Sequence, residues 1–547
     1  MTENGGFTNP IIPGFNPDPS ICRVGEDFFL VTSTFEYFPG IPIYHSKDLL
    51  DWKLIGHVLT RRSQLDMRTT EPSGGIWAPT IRHHKGKFYV AVGCTQRFRP
   101  KEWDIVIPRG FYVTTSDIWA KDSWSEPIHF DVPGIDQDLF FDDDGKVYFS
   151  AVNQIRDPKI TKHGLGLATF TTEIDLATGC CIGPIKWNRF STFGFGIAEG
   201  PHIFKKDGYY YLTTAEGGTD EGHQQWIHRS SVGPFGPWEA GTEKSINPIL
   251  FNDTDPEIRN TGHLDFIQAT DGQWWAVFLG VRPQGDQSQF KSQLGRETFL
   301  APVRWIDGWP IVNERKNISL EMKAPGMHRL TQPRLWRDDF KGPELQLGWY
   351  HLRTPLKKAY KFDDNQAALL LYGGAYRIWD AECASMLLQK QLYFSMDWRV
   401  KVRFTPMHVG EEAGTAIWWS HQAYASIGFR KSEKEDLEMV CRYLDGDNEF
   451  QENVSPLTQK DVEIQLVIKA RKLHYDLGYV LPSSSGSDTV FIKMGSITSE
   501  SLTHRLPGRE SPNTGAHFAI YAQGSYDWPC LEPAYFQSAE WEVTVKG

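Results

Sequence analysis

Asp18 in "NPDPS", Asp136 in "GIDQD" and Glu199 in "IAEGP" lie in unrelated local sequences, yet each precedes an aromatic strand by nearly the same interval. Twelve residues before Tyr89 stands Trp77, before Tyr148 Asp136, before Tyr211 Glu199 and before Trp275 His263; eleven before Phe29 stands Asp18. Singly these residues are ordinary: Asp beside Pro favours a turn, and a lone His is commonly just hydrogen-bonded. At one shared position of a radial array they converge. Three carboxylates brought together oppose one another's ionisation and are expensive to desolvate, so stability does not explain them. Cleavage of a glycosidic bond does. It needs one protonated carboxyl to assist the leaving group and one ionised carboxylate to activate water or to attack, and a third can orient and tune the pair. In the same position Trp77 offers either a core aromatic or a flat face for a sugar ring. His263 offers a polar lining or a ligand to an axial ion.

A repeat of about sixty residues must position them. "GEDFFLVTST" from Gly25, "GKFYVAVGC" from Gly86, "GKVYFSAV" from Gly145, "GYYYLTTAEG" from Gly208 and "GQWWAVFLG" from Gly272 each lead a Gly-containing turn into an aromatic strand. Their glycines are 61, 59, 63 and 64 residues apart. Asp-Gly at 144–145, 207–208 and 271–272 is a hairpin signal, and "PTIRHH", "DLFFDD" and "PHIFKK" supply partner strands. This period predicts an all-β, five-bladed β-propeller over residues 1–325. There the repeat stops. Residues 326–335 read as a linker, and the alternation in "FSMDWRVKVRF" and "AEWEVTVKG" predicts a β-sandwich over 336–547.

The chain's 547 residues accommodate both domains. A net charge of −11 without a long basic run excludes a nucleic-acid partner, and no stretch approaches 18 consecutive apolar residues, which excludes a membrane span. Seven cysteines without Cys-x-x-Cys spacing argue against zinc and against a disulfide framework. The opening "MTENGGFTNPIIPGF" lacks the basic and apolar regions of a signal peptide, so a cytoplasmic protein is expected; a secreted chain with its leader removed would begin the same way.

"GFNPDPSI" (14–21), "SGGIWAP" (73–79), "GIDQDLFFDDDGK" (134–146), "AEGPH" (198–202), "TGH" (261–263) and "LGRET" (294–298) together resemble glycoside hydrolase family 43, most nearly its β-xylosidase branch. The resemblance implies a five-bladed propeller followed by a concanavalin-A-like sandwich, hydrolysing terminal pentoses with inversion. It implies Asp18 as general base, Glu199 as general acid and Asp136 as the carboxylate that tunes and orients the acid. Arg296 would bind substrate, Phe35 and Trp77 would wall the sugar site, and His263 would lie on the axis. No cofactor is required, although some relatives carry an axial calcium ion near that histidine. The substrates implied are xylo-oligosaccharide or arabinoxylan. Three functions compete: a β-D-xylosidase with α-L-arabinofuranosidase activity, a dedicated α-L-arabinofuranosidase, and a non-catalytic sugar-binding propeller. Two departures stand out: Gln137-Asp138 follows the tuning aspartate, so Asp138 competes with Asp136, and Thr80 replaces an expected Asp.

Ala-Glu-Gly occurs twice, at 198–200 and 215–217. A two-residue turn at Asp207-Gly208 with an unbroken register would set Glu216 opposite Glu199, with Cβ atoms about 4.5–5.5 Å apart. Glu216 is therefore expected to raise the pKa of Glu199 or to hold Arg296, provided no bulge intervenes.

Overall fold

A computed structural model describes residues 5–98, 105–155, 166–193, 196–284, 292–324, 333–444, 450–457, 463–480, 490–503, 513–525 and 528–544. Most of the expected linker, 326–332, lies outside them. The chain divides into two compact units, the first holding Met1–Asp66, Gly74–Phe290 and Arg296–Leu330. The second holds Thr331–Gly547 together with Met67–Ser73 and Lys291–Gly295, two short segments from within the expected propeller.

Five antiparallel sheets follow one another along the first unit. Blade I comprises Ser20–Val24, Asp27–Val31, Gly40–Ser46 and Lys53–Leu59. Blade II comprises Gly75–His84, Lys87–Phe98, Ile105–Thr115 and Ile128–His129. Blade III comprises Ile135–Phe141, Val147–Gln154, Leu167–Ile174 and Lys186–Phe190. Blade IV has three strands, Ala198–Lys206, Tyr209–Glu216 and Gln224–Ser230. Blade V comprises Arg259–Gln268, Trp274–Val281, Glu297–Ile306 and Trp309–Val312. The first strand of each blade touches the first strand of the next, and that of blade V returns to blade I, closing a ring about an axis. This is a five-bladed propeller.

Apolar faces hold neighbouring blades together. Tyr89 and Tyr112 of blade II bury against Leu139, Phe149 and Phe170 of blade III. Leu30 of blade I, Tyr211 of blade IV and Phe278 and Phe299 of blade V share one core. The ends of the ring are tied by Gly6–Thr8, which pairs antiparallel with Glu321–Lys323. Asn9 reinforces the tie: its side-chain amide donates to the Leu300 carbonyl and accepts from the Leu300 N–H, each at 3.0 Å.

The five hairpins are not equal. Val24↔Asp27, His84↔Lys87 and Lys206↔Tyr209 enclose two-residue turns. Phe141↔Val147 and Gln268↔Trp274 instead enclose longer loops, which contain Asp144-Gly145 and Asp271-Gly272. Of the three Asp-Gly pairs, only 207–208 forms the tight hairpin turn.

The second unit is a sandwich of two antiparallel sheets. One contains Met396–Arg403 between Ile464–Ala470 and Ala534–Val543; the other contains Glu412–Ser420 between Ala423–Lys431 and His517–Gln523. Their inner faces build a single core. At its centre Trp398 stacks on Phe518 of the opposite sheet, with ring centroids 5.2 Å apart, and donates its indole N–H to Thr415 at 2.8 Å. Trp398→Ala removes both contacts and should lower unfolding free energy by about 3–5 kcal/mol, read from denaturant titration of near-UV circular dichroism.

Candidate active site

The innermost strands of blades II to V break their register with a β-bulge where they approach the axis, while that of blade I pairs without one. Pairing skips from Trp77 to Thr80 in blade II, Ile135 to Asp138 in blade III, Glu199 to His202 in blade IV and Gly262 to Asp265 in blade V. The first unpaired residue is left-handed in every case: Ala78 (φ 42°), Asp136 (φ 57°), Gly200 (φ 57°) and His263 (φ 52°), with Asp18 (φ 55°) ahead of the first strand of blade I. Positive φ is uncommon outside glycine and tolerable for aspartate, and bulges of this kind re-aim side chains beside active sites.

These bulges correct the common position inferred from sequence. Asp18, Asp136 and His263 share one register position with Ala78 and Gly200, whereas Glu199 and Trp77 occupy the paired position just before it. The cause is hairpin length. Tyr148 pairs with Phe140 and Trp275 with Ile267, eight residues apart, while Tyr89 pairs with Arg82 and Tyr211 with Phe204, seven apart. A fixed count of twelve therefore lands one residue earlier relative to the bulge in blades II and IV.

The carboxylates nevertheless converge, and their surroundings separate them. Asp18 is buried, yet both oxygens are engaged: Oδ1 by Arg296 Nη1 at 3.1 Å and Oδ2 by the Ser33 hydroxyl at 2.6 Å. Burial alone would raise its pKa; Arg296, His263 and the Ser33 hydroxyl outweigh that and hold it below the ordinary value. Asp136 accepts the Gly200 N–H at 2.8 Å, and burial, with the charge of Asp18 adding to it, raises its pKa. Glu199 is half-buried, and among the described residues no hydrogen bond or ion pair of this kind compensates it. Burial, then the charges of Asp136 and Asp18, push its pKa up to about 8 against a weaker pull from Arg296. Near neutrality Asp18 is ionised and Glu199 carries a proton.

Arg296 is fixed by Asp18 and by the Thr219 hydroxyl, to which it donates at 2.8 Å. Its guanidinium lies 5.4 Å from the ring of Phe35, which in turn stands 5.9 Å from Trp77. Phe35 (φ 52°) is clamped into blade II by reciprocal backbone hydrogen bonds with Ile76. The expected aromatic wall and the arginine thus adjoin. Gly200 leaves room for the imidazole of His263: a Cβ there would lie 3.1 Å from its ring. His263 lies against Asp18 and Asp136, and burial lowers its pKa.

Two further expectations resolve. Asp138 is no rival of Asp136: fully buried, it pairs with Arg82 at 2.8 Å and accepts the Ile203 N–H. Glu216 does not face Glu199, because the bulge shifts the register so that Ala198 pairs with Glu216 and Glu199 with Ala215. Its carboxylate instead takes a bidentate bond from Arg189, at 2.7 and 3.0 Å, and the Ser191 hydroxyl at 2.6 Å. It holds neither Arg296 nor the proton of Glu199. Sequence reasoning missed Ser33, which grips Asp18 while accepting the Ala78 N–H at 2.7 Å. Ser33 lies in a loop, and no spacing signals it. It also missed Arg82, on the strand that carries Trp77, because a basic residue on a strand reads as a solvated face.

An ionised base and a protonated acid gathered beside an aromatic wall form the constellation that glycoside hydrolysis uses. The comparisons specify which glycoside hydrolase. The family model of glycosyl hydrolases family 43 matches residues 7–310, and that of the β-xylosidase C-terminal concanavalin A-like domain matches residues 337–542. The chain belongs to family 43. It is 39% identical over 446 residues to a non-reducing end α-L-arabinofuranosidase of Bacteroides ovatus, covering 80% of this chain and 78% of that one. It is 33% identical over 479 residues to a xylan 1,3-β-xylosidase of a Vibrio species, covering 85% and 88%. Its structure is similar to a xylan β-1,4-xylosidase from Bacillus halodurans, with a TM-score of 0.85 at 28% identity, covering 98% of this chain and 100% of that one.

On a chromogenic glycoside, kcat/KM should fall on the alkaline side as Glu199 loses its proton near pH 8, and on the acid side only below the ordinary carboxylate range as Asp18 gains one. Arg296→Gln removes the charge that favours the ionised form of both groups. Both limbs should therefore move to higher pH, the acid limb by about 1–3 units. Glu216→Gln leaves the half-buried Arg189 without its counter-charge. It should lower stability by about 3 kcal/mol in denaturant unfolding while leaving the alkaline limb in place.

Proposed function

We propose that the protein is an exo-acting, inverting glycosidase that removes terminal pentoses from xylo-oligosaccharides: a β-D-xylosidase with α-L-arabinofuranosidase activity. The observation that carries this reading is the opposite protonation of Asp18 and Glu199 within one site. Asp18, held ionised by Arg296 and Ser33, takes a proton from a water that attacks the anomeric carbon from the face opposite the leaving group. Glu199 donates its proton to the glycosidic oxygen as that bond breaks. Asp136, fixed by the Gly200 N–H, adds the negative charge that keeps the proton on Glu199 until the leaving oxygen takes it. Phe35 and Trp77 give the sugar ring an apolar face, and Arg296 binds its hydroxyls.

The relative from Bacteroides ovatus is named as an arabinofuranosidase, which favours a second reading: the same machinery dedicated to arabinofuranosyl side chains of arabinoxylan. Hydrolysis of aryl β-xyloside and aryl α-arabinofuranoside by one preparation separates the two, the proposal expecting the higher kcat/KM on the xyloside. The first product from the xyloside should be α-xylose by NMR. Glu199→Ala should lower kcat/KM on xylobiose by about 10²–10⁴, and far less on an aryl xyloside whose leaving group departs without a proton. A wild type that cleaves neither substrate, or that releases β-xylose first, overturns the proposal.

A further inference from the structure

We infer that Arg82 serves as a permanent axial cation in this propeller, doing the positioning work for which a calcium ion would otherwise be needed, so that the enzyme is independent of calcium. The first residues paired after the bulges are Thr80, Asp138, His202 and Asp265, and Ser20 opens the corresponding strand of blade I. Two of these five are buried carboxylates, Asp138 and Asp265. Buried charges need a partner. A calcium ion would supply one by gathering about six to eight oxygen ligands.

Here the guanidinium already does so. Arg82 reaches from blade II to Asp138 of blade III through Nη2 at 2.8 Å and to Asp265 of blade V through Nη1 at 2.8 Å. Nη1 also donates to the Ser20 hydroxyl of blade I at 3.2 Å, and Nη2 to His202 Nδ1 of blade IV at 3.1 Å. Other donors also engage the two carboxylates: Asp265 Oδ2 accepts from Ser20 and from the Ile21 N–H, and Asp138 Oδ2 from the Ile203 N–H, while Asp138 Oδ1 has the ion pair alone. Because an arginine only donates, His202 Nδ1 is the acceptor and its ring proton sits on Nε2. That Nε2 has no hydrogen-bond partner and, as a donor, offers nothing to a metal. Among the described residues no group of three or more His, Cys, Asp or Glu side chains is arranged to hold an ion. The two buried carboxylates that could hold a calcium ion in this layer are thus already spent on a guanidinium.

The same contacts make Arg82 a positioning residue. Ser20, Asp138 and Asp265 each lie two residues after Asp18, Asp136 and His263, and His202 lies three after Glu199. One side chain thus pins all four strands just where they present those groups. This catalytic part rests on the roles proposed above; the calcium part does not, because it is read from thermal unfolding.

The test uses the full chain after dialysis against EDTA. For wild type, calcium added up to millimolar concentration should leave Tm unmoved and kcat/KM on the aryl xyloside unchanged; a calcium-dependent rise in either overturns the inference. In Arg82→Lys one ammonium cannot span both carboxylates, so kcat should fall about tenfold or more with KM nearly constant, as expected for displaced catalytic groups. A folded Arg82→Lys with wild-type kcat overturns the positioning role. Should Arg82→Lys fail to fold, the wild-type calcium titration still decides the first part, and Ser20→Ala, which removes one of the guanidinium's neutral contacts, decides the second by the same kcat and KM comparison.

Discussion

A closed ring of sheets has one place that no blade can fill alone, its axis. In this propeller the axis is settled by one half-buried guanidinium. Arg82 ties blade II to the strands of blades I, III, IV and V, with Asp138 and Asp265 as its counter-charges. Everything nearer the mouth is built on that layer. The segments that present Asp18, Asp136, Glu199 and His263 begin within two or three residues of it, so the spacing of the reacting groups is inherited from the geometry of one planar cation.

The two layers handle charge in opposite ways. At the level of Arg82, one cation is shared between two carboxylates and bridges both. One layer above, three carboxyls share the single charge of Arg296, and that charge is committed to Asp18. The deficit falls on Glu199, which answers it by keeping a proton. No separate device is needed to make one carboxyl an acid and its neighbour a base. Burial raises both, and unequal access to Arg296, with His263 and Ser33 adding to the grip on Asp18, separates them.

The sequence made the architecture legible because each blade repeats the same economical signal, a glycine turn entering an aromatic strand. Asp18, Asp136 and Glu199 were legible from their interval to that strand, although the interval joined two adjacent register positions. Loop residues added in the hairpins of blades III and V offset the shift that the bulges hide. Glu216 shows the same blind spot at closer range: the turn at Asp207-Gly208 is as expected, and the register holds as far as His202↔Thr213 before the bulge displaces it. In blades II, III and V the left-handed residue of the bulge is Ala, Asp or His and leaves no mark in the sequence, whereas in blade IV it is Gly200, the one bulge that a glycine could have signalled. Ser33 was invisible because its role is set by a fold-back of its loop onto Asp18. Arg82 was hidden among "IRHH", where a basic residue on a strand reads as a solvated face.

The tie between Gly6–Thr8 and Glu321–Lys323 joins an early strand of the unit to nearly its last. Asp18 and Arg296 span almost the same interval, 278 residues. During vectorial synthesis the base therefore emerges early and stays without its cation until the fifth blade has been made and the ring is clasped. An incomplete chain holds the carboxyls but not the charge that sets them apart. Completion of the ring and the arming of the site are one event, so hydrolytic competence itself reports that the propeller is whole.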